Sequence, residues 1–350
     1  MKIRSIIKLG GVRVCRAFGL EAWSRNRLRN QLLVLCYHGV VEGRRMDRFG
    51  YENTVDSAEF AGHLEYLGRH FRPVTATDVA TSRRSGKPLP ERAVLVTFDD
   101  GYRNNLNLAS EILRRAGVPA IFFVSSGYIG TRRILWPDEL MDRLMALKAG
   151  SIPLPAGGEA AVSETDVPAG LAEHRLLAVK IRDLCKRMDA AQSEQYLDVI
   201  RTLTPPPTPQ PDLRGFMTWD EVRALRAKGF EIGAHTIDHP ILTRVAPDRL
   251  RRELTESRHT IERELGEPCP FVAYPNGGSE DVSPQVLAAA RDAGYKLGFT
   301  LAESFSQPAE DPLSLSRLCV QGHLPLSYFR FRASGAAASL KHFLAGRAEQ

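Results

Sequence analysis

Four side chains in this sequence could hold and use a cation: Asp99, Asp100, His235 and His239. The two aspartates are adjacent and directly follow an apolar run, Ala93–Phe98, rich in the β-branched residues of a buried strand. Carboxylates side by side at such a place resist ionising together, so the pair implies a cation between them or one acid kept protonated for chemistry. An acidic turn closing a strand would also put them there. The second stretch argues against that plainer reading. Phe230–Ala234 (FEIGA) is another buried-strand run, and it leads straight into His235 and His239. Pro240 opposes a continuing helix, so the five residues HTIDH are expected to form a tight loop with both imidazoles turned to one mouth. A carboxylate and two imidazoles, each at the C-terminal end of a strand, form a donor set suited to a divalent metal.

The motifs TFDDGY at 97–102, HTIDH at 235–239 and YPNG at 274–277 together resemble the polysaccharide deacetylase family, the NodB-homology or carbohydrate esterase family 4 group. The resemblance runs from about Leu32 to Leu324. It implies an α/β fold, a distorted (β/α)7-type barrel, and metal-dependent hydrolysis of an N-acetyl or other N-acyl group on a sugar. It also implies roles: Asp100, His235 and His239 as metal ligands, and Asp99 as the base that takes a proton from the attacking water. The backbone N–H of Asn276 would be the oxyanion donor. Zn²⁺ suits these donors best, and Co²⁺, Ni²⁺ or Mn²⁺ would also be accommodated.

Two positions depart from the commonest family pattern. Ala273 stands where many members carry an arginine that steadies the base, and Asn276 replaces an aromatic residue. Arg317, on the last expected strand, is a candidate substitute for the missing arginine. The leaving amine needs a proton, for which many members use a Leu-x-His segment that this chain lacks; His323 and His38 are the candidate acids. The expected substrate is a glycan or lipid-linked sugar. An amidase or deformylase acting on a smaller amide and a non-catalytic glycan-binding module are the alternatives, and the intact Asp-Asp-His-His set argues against the module.

The elements around these residues alternate strand and helix with short links, which predicts βαβ units and a parallel sheet with its strand ends at one face. Gln31–Tyr37 is the expected first strand, ending at His38. Asn104–Ala116 reads as a helix closed by Gly117, and Thr218–Lys228 as a helix with a capping box of Thr218 and Glu221. Residues 136–211 interrupt the rhythm with helical and Gly/Pro-rich sequence and no strand character. That segment is expected as an insertion, either roofing the active face or lying to one side. The barrel with its insertion would occupy residues 31–332, followed by a tail at 333–350 without a motif.

The chain has 350 residues and a net charge of +6, but residues 1–30 alone hold eight Lys/Arg against Glu21. The other 320 residues contain 39 basic and 40 acidic residues, which disfavours a general nucleic-acid surface. On a helix, residues 1–30 place Ile3, Ile6, Ile7, Val14 and Phe18 on one arc opposite basic residues, so the arm either lies on an anionic membrane or packs on the barrel. The five scattered cysteines show no CxxC, a pattern of reduced, buried thiols. No apolar run is long enough to span a bilayer. These features predict a cytoplasmic protein, peripheral to the inner face of the membrane if the arm engages lipid.

Overall fold

The computed structural model describes residues 19–43, 54–148, 150–155, 164–207, 214–322 and 324–340. In chain order, helix α1 (Leu20–Arg27) precedes strands β1 (Leu33–Tyr37), β2 (Gly39–Val41) and β3 (Thr54–Asp56) and helix α2 (Ser57–His70). Then come β4 (Arg72–Pro73), α3 (Ala76–Ser85), β5 (Ala93–Phe98), α4 (Ser110–Ala116) and β6 (Ala120–Val124). The interrupting segment holds α5 (Trp136–Ala146), β7 (Ser151–Pro153), β8 (Glu164–Asp166), α6 (Leu171–Cys185) and α7 (Ala190–Leu203). The alternation resumes with α8 (Trp219–Ala227), β9 (Glu231–Ala234), α9 (Pro247–Leu265), β10 (Phe271–Ala273) and α10 (Pro284–Asp292). It closes with β11 (Leu297–Phe299), β12 (Leu318–Cys319) and α11 (Leu326–Ala333).

The main sheet runs β11-β10-β9-β6-β5-β1-β12, every pair parallel, with β4 beside the first residues of β5. A parallel bridge between Phe299 of β11 and Leu315, three residues before β12, draws the two ends of this path together. The result is the distorted (β/α)7-type barrel that the alternating pattern predicts.

Period-two alternation sorts the strand residues. Leu33, Leu35, Val94, Val96, Phe98 and Phe122 pack outward against the helices. Val34, Leu95, Ile121, Phe123, Phe271 and Phe299 fill the barrel interior. Gly233 is required there: a Cβ would lie 2.5 Å from the ring of Phe123. Following the inward face of β1 and β5 upward gives Cys36 then His38, and Thr97 then Asp99. The barrel lining therefore changes from apolar to polar towards the C-terminal strand ends.

Registration fixes which polar residues meet. Tyr37 pairs with Phe98, so His38 and Asp99 leave the sheet side by side, and the Asp99 N–H donates to the Tyr37 carbonyl at 2.9 Å. Val124 pairs with Ala234, and the His235 N–H donates to the Val124 carbonyl, also at 2.9 Å. The capping box at Thr218 and Glu221 is present. The helix expected over Asn104–Ala116 is instead a π-helical turn, Asn105–Ala109, running into α4. Wider turns of this kind inside helices recur beside functional sites.

The interrupting segment has its own apolar core, in which Leu140, Leu144, Ile152, Ala178, Ile181 and Leu197 meet. One expectation fails here: β7 and β8 form a short antiparallel pair, so the segment has strands after all. At the N-terminus, α1 packs against α2 and the C-terminal segment, through Arg25 Nη1 to Tyr66 Oη (3.0 Å) and Ser24 Oγ to Ser339 Oγ (3.1 Å). Residues 1–18 of the basic arm, and 341–350 of the tail, lie outside the described residues.

His63 of α2 supplies a stability prediction. Its buried ring stacks on Phe329 at 3.8 Å, and Nδ1 lies 3.3 Å from the Tyr37 hydroxyl. Burial, helped by the charge of Arg330, pushes its pKa from 6.5 down to about 3. A folded chain that refuses this proton while the unfolded chain accepts it keeps the full contribution above the unfolded value. The contribution is then lost as pH falls from about 6.5 to about 3, at up to about 1.4 kcal/mol per pH unit. Urea unfolding across this window should show wild type losing stability faster than His63→Leu. Parallel pH curves for the two proteins would refute the assignment.

Candidate metal centre

Asp100, His235 and His239 converge at the mouth of the barrel. Asp100 Oδ1 lies 3.5 Å from His235 Nε2 and 3.4 Å from His239 Nε2. The other nitrogen of His235, Nδ1, donates to the Ala273 carbonyl at 2.7 Å, which leaves Nε2 with its lone pair towards Asp100. Asp100 Oδ1 is buried and makes no hydrogen bond among the described residues. A buried carboxylate oxygen without a donor, held between two imidazole nitrogens, is costly unless a cation satisfies it. The donor set and its convergence thus fit a divalent metal.

The backbone is held in an unusual shape to achieve this. Among the described residues, six non-glycine residues have positive φ, and four of them are Asp100 (74°), Thr236 (64°), His239 (54°) and Asn276 (61°). Left-handed backbone at non-glycine residues is strained by roughly 1–3 kcal/mol each and persists where surroundings over-determine it. Here Glu253 of α9 does so for the histidine loop, accepting from the N–H groups of Ile237 and Asp238 at 2.9 and 3.0 Å.

Asp99 faces the same mouth, its Oδ2 4.0 Å from His235 Nε2, but its partner is different. Arg317 grips both of its oxygens, Nη1 to Oδ1 at 2.7 Å and Nη2 to Oδ2 at 2.8 Å. The fully buried guanidinium is itself fixed by Thr97 Oγ1 and the Thr300 carbonyl, each at 3.1 Å. Burial alone would raise the Asp99 carboxyl, but the charge and hydrogen bonds of Arg317 outweigh it and hold the pKa below the usual carboxylate range. Cys36 Sγ adds a contact to Oδ2 at 3.3 Å. Sequence reasoning missed Cys36 and Thr97, although each stands two residues before a named site residue, on the same strand face.

Asn276 follows β10 in a turn where the Gly277 N–H donates to the Pro275 carbonyl at 2.7 Å. Its own backbone N–H makes no hydrogen bond among the described residues. Its side chain is clamped between Lys186 Nζ, 2.7 Å from Oδ1, and Asp281, which accepts from Nδ2. His38 Nδ1 is buried without a hydrogen bond among the described residues. His323 lies outside the described residues.

These groups line one cavity of about 310 Å³. The barrel contributes His38, Asp99, Asp100, His235, His239 and Asn276. The interrupting segment contributes the opposite wall, including Trp136, Asp138, Arg175, Arg182 and Lys186, so it covers the strand ends. A second cavity of about 500 Å³ shares Trp136 and Ile241 with the first.

Comparison with known proteins agrees with this geometry. A family model described as polysaccharide deacetylase matches residues 86–156 and 180–298. A Bacillus subtilis (strain 168) protein described as a polysaccharide deacetylase, YxkH, is 19% identical over 310 residues, 88% of this chain and 78% of that protein. The poly-β-1,6-N-acetyl-D-glucosamine N-deacetylase of Escherichia coli (strain K12) is 31% identical over 117 residues, 33% of this chain and 17% of that enzyme. Among solved structures, IcaB from Ammonifex degensii superposes with a TM-score of 0.56 at 20% identity, covering 88% of this chain and 97% of that one. The Streptococcus pyogenes deacetylase PplD, solved with acetate, gives 0.55 at 17% identity, covering 85% and 96%. Both structures share the fold.

Proposed function

The chain belongs to the polysaccharide deacetylase family, hydrolases of carbon–nitrogen bonds other than peptide bonds, and from that premise we propose how its own residues work. It removes the N-acetyl, or another N-acyl, group from an amino sugar in a glycan or lipid-linked saccharide. The family is generally dependent on a divalent metal. Asp100, His235 and His239 would hold that metal here, Zn²⁺ by preference. Once bound, it would act as a Lewis acid on the amide carbonyl and lower the pKa of water from 15.7 towards about 7.

Asp99 takes the proton of the attacking water, and Arg317 keeps its carboxylate ionised and aimed. The oxyanion that forms on the former carbonyl accepts a hydrogen bond from the Asn276 N–H. His38, beside Asp99 in the strand register, delivers a proton to the amide nitrogen as the carbon–nitrogen bond breaks. The products are a carboxylate and an amine. The observation that carries this reading is the buried, donorless Asp100 Oδ1 between two Nε2 atoms, next to an aspartate with a separate arginine partner. The cavity beyond Trp136 and Ile241 offers room for sugar residues next to the reacting one.

The test is release of acetate or formate from a panel of N-acylated oligosaccharides and small amides by metal-replete protein, with and without chelator. Chelator-sensitive acetate release from oligosaccharides supports the reading. Activity confined to small amides would make the chain an amidase, and binding of glycans without any release would make it a binding module.

We propose also that the basic residues 1–30 attach the protein to an anionic membrane. No helix among the described residues is long and apolar enough to cross one. Each surface-proximal Lys or Arg contributes about 1 kcal/mol at such a surface, and salt screens it. The full chain should sediment with phosphatidylserine vesicles at low salt, and a chain beginning at Gln31 should not. Equal partitioning of the two would remove the membrane role.

A further inference from the structure

Helix α6 carries two stripes at helical spacing. His174, Ala178, Ile181 and Cys185 are buried in the segment's own core. One position on, Arg175, Val179, Arg182 and Lys186 follow the same spacing and all line the metal cavity. A helix that only needed to cover the barrel would be expected to turn apolar or neutral residues to that wall. This one presents three cations.

The helix itself does not account for them. Cations in a last helical turn suit the macrodipole, which would explain Arg182 and Lys186 but not their facing inward. Arg175 stands near the N-terminal end, where a positive charge is disfavoured.

For Arg182 and Lys186, the two that serve as anchors, the carboxylates in the same cavity do not account for the placement either. Asp99 is held by Arg317, and Asp100 belongs to the metal centre. Asp138 accepts from the Tyr102 hydroxyl at 3.0 Å, and among the described residues it acts on Lys186 without a direct ion pair, as one of several surrounding charges with Asp183 and Asp281. Arg182 sets Nε and Nη2 on Asp183 Oδ1, at 3.1 and 2.9 Å, a pair exposed enough to be weak and open to exchange for a ligand oxyanion. Lys186 is half-buried and donates to a neutral acceptor, Asn276 Oδ1.

We propose that α6 forms an anion subsite in the roof of the cavity, and that the substrate carries a phosphate or carboxylate close to the N-acyl group being removed. Lys186 and Arg182 are the anchors. Arg forms paired hydrogen bonds with such oxyanions, and charge-assisted bonds away from bulk water are the strong ones. The proposal rests on the deacetylase reading for the position of the N-acyl group, but the subsite itself is a binding claim and is tested by binding.

Isothermal titration of the metal-loaded full chain would compare three ligands: N-acetylglucosamine 1-phosphate, an N-acetylated hexosaminuronic acid and neutral N,N′-diacetylchitobiose. The expected result is roughly tenfold or tighter binding of at least one anionic ligand, and whichever is preferred identifies phosphate or carboxylate as the group. Arg182→Gln should bring that ligand close to the neutral one while leaving neutral binding unchanged, and Lys186→Met, which also releases Asn276, should cost the anionic ligand clearly more than the neutral one. Because the readout is affinity, an absence of turnover would count against the deacetylase reading and not against the subsite. Three results would overturn the proposal: equal or tighter binding of the neutral sugar, an anion preference that survives both substitutions, or an equal loss for charged and neutral ligands. The last would mean that Lys186 only steadies Asn276.

Discussion

Asp99→Asn should release acetate about 10²–10⁴-fold more slowly than wild type while keeping its metal. That range is the usual loss on removing a general base, equivalent to about 3–5 kcal/mol of barrier. Asparagine is close in size and can still accept from Arg317, but it cannot take a proton. Added metal should therefore not restore the rate. Asp100→Asn should behave differently, because Asp100 Oδ1 is the oxygen placed between His235 and His239. Its activity should depend on metal concentration and recover in part when metal is raised. Turnover over a metal titration separates the two neighbours. If Asp99→Asn is rescued by metal and Asp100→Asn is not, the roles are reversed.

Arg317→Met should be the most destabilising single substitution at the site. It leaves a buried carboxylate, Asp99, with the Cys36 thiol as its remaining side-chain hydrogen-bond donor among the described residues and no countercharge in direct contact. Removing one member of a buried ion pair typically costs about 3–5 kcal/mol. The guanidinium also lies over the ring of Phe123, 5.8 Å from its centroid, so a packing contact goes with the charge. Urea midpoints should fall accordingly, and turnover should fall even where the variant remains folded. Arg317→Lys should recover part of the stability but little of the rate, because one ammonium cannot match two carboxylate oxygens. Unchanged midpoint and turnover in Arg317→Met would show that the pair does not matter.

The fold was legible because its signals are local. Buried runs such as Ala93–Phe98 and Phe230–Ala234 end in polar residues, and strand periodicity places those ends at one mouth. The metal centre could be read because its residue types are costly in any other arrangement. Arg317 could only be a candidate, since the pairing of β12 with β1 that brings it to Asp99 is a contact across the whole chain. Cys36 escaped because His38 is found from its motif position at the end of the strand, whereas strand alternation is what puts Cys36 on the same face. The β7–β8 pair escaped notice because three residues carry too little pattern to mark a strand. Whether the interrupting segment roofs the site depends on how α6 docks, and a helix with adjacent apolar and cationic stripes does not say which surface receives them. His323, lying outside the described residues, is not placed relative to the acid role.

The central claim, that Asp100, His235 and His239 hold a divalent cation while Asp99 beside them is paired with Arg317 and not needed as a ligand, is tested most directly by elemental analysis of dialysed protein. Wild type and Asp99→Asn should each retain about one metal ion per chain, as a three-ligand site with open positions would. Asp100→Asn, His235→Ala and His239→Ala should each lose most of it. Metal content unchanged by those three substitutions, or lost on Asp99→Asn, would contradict the account.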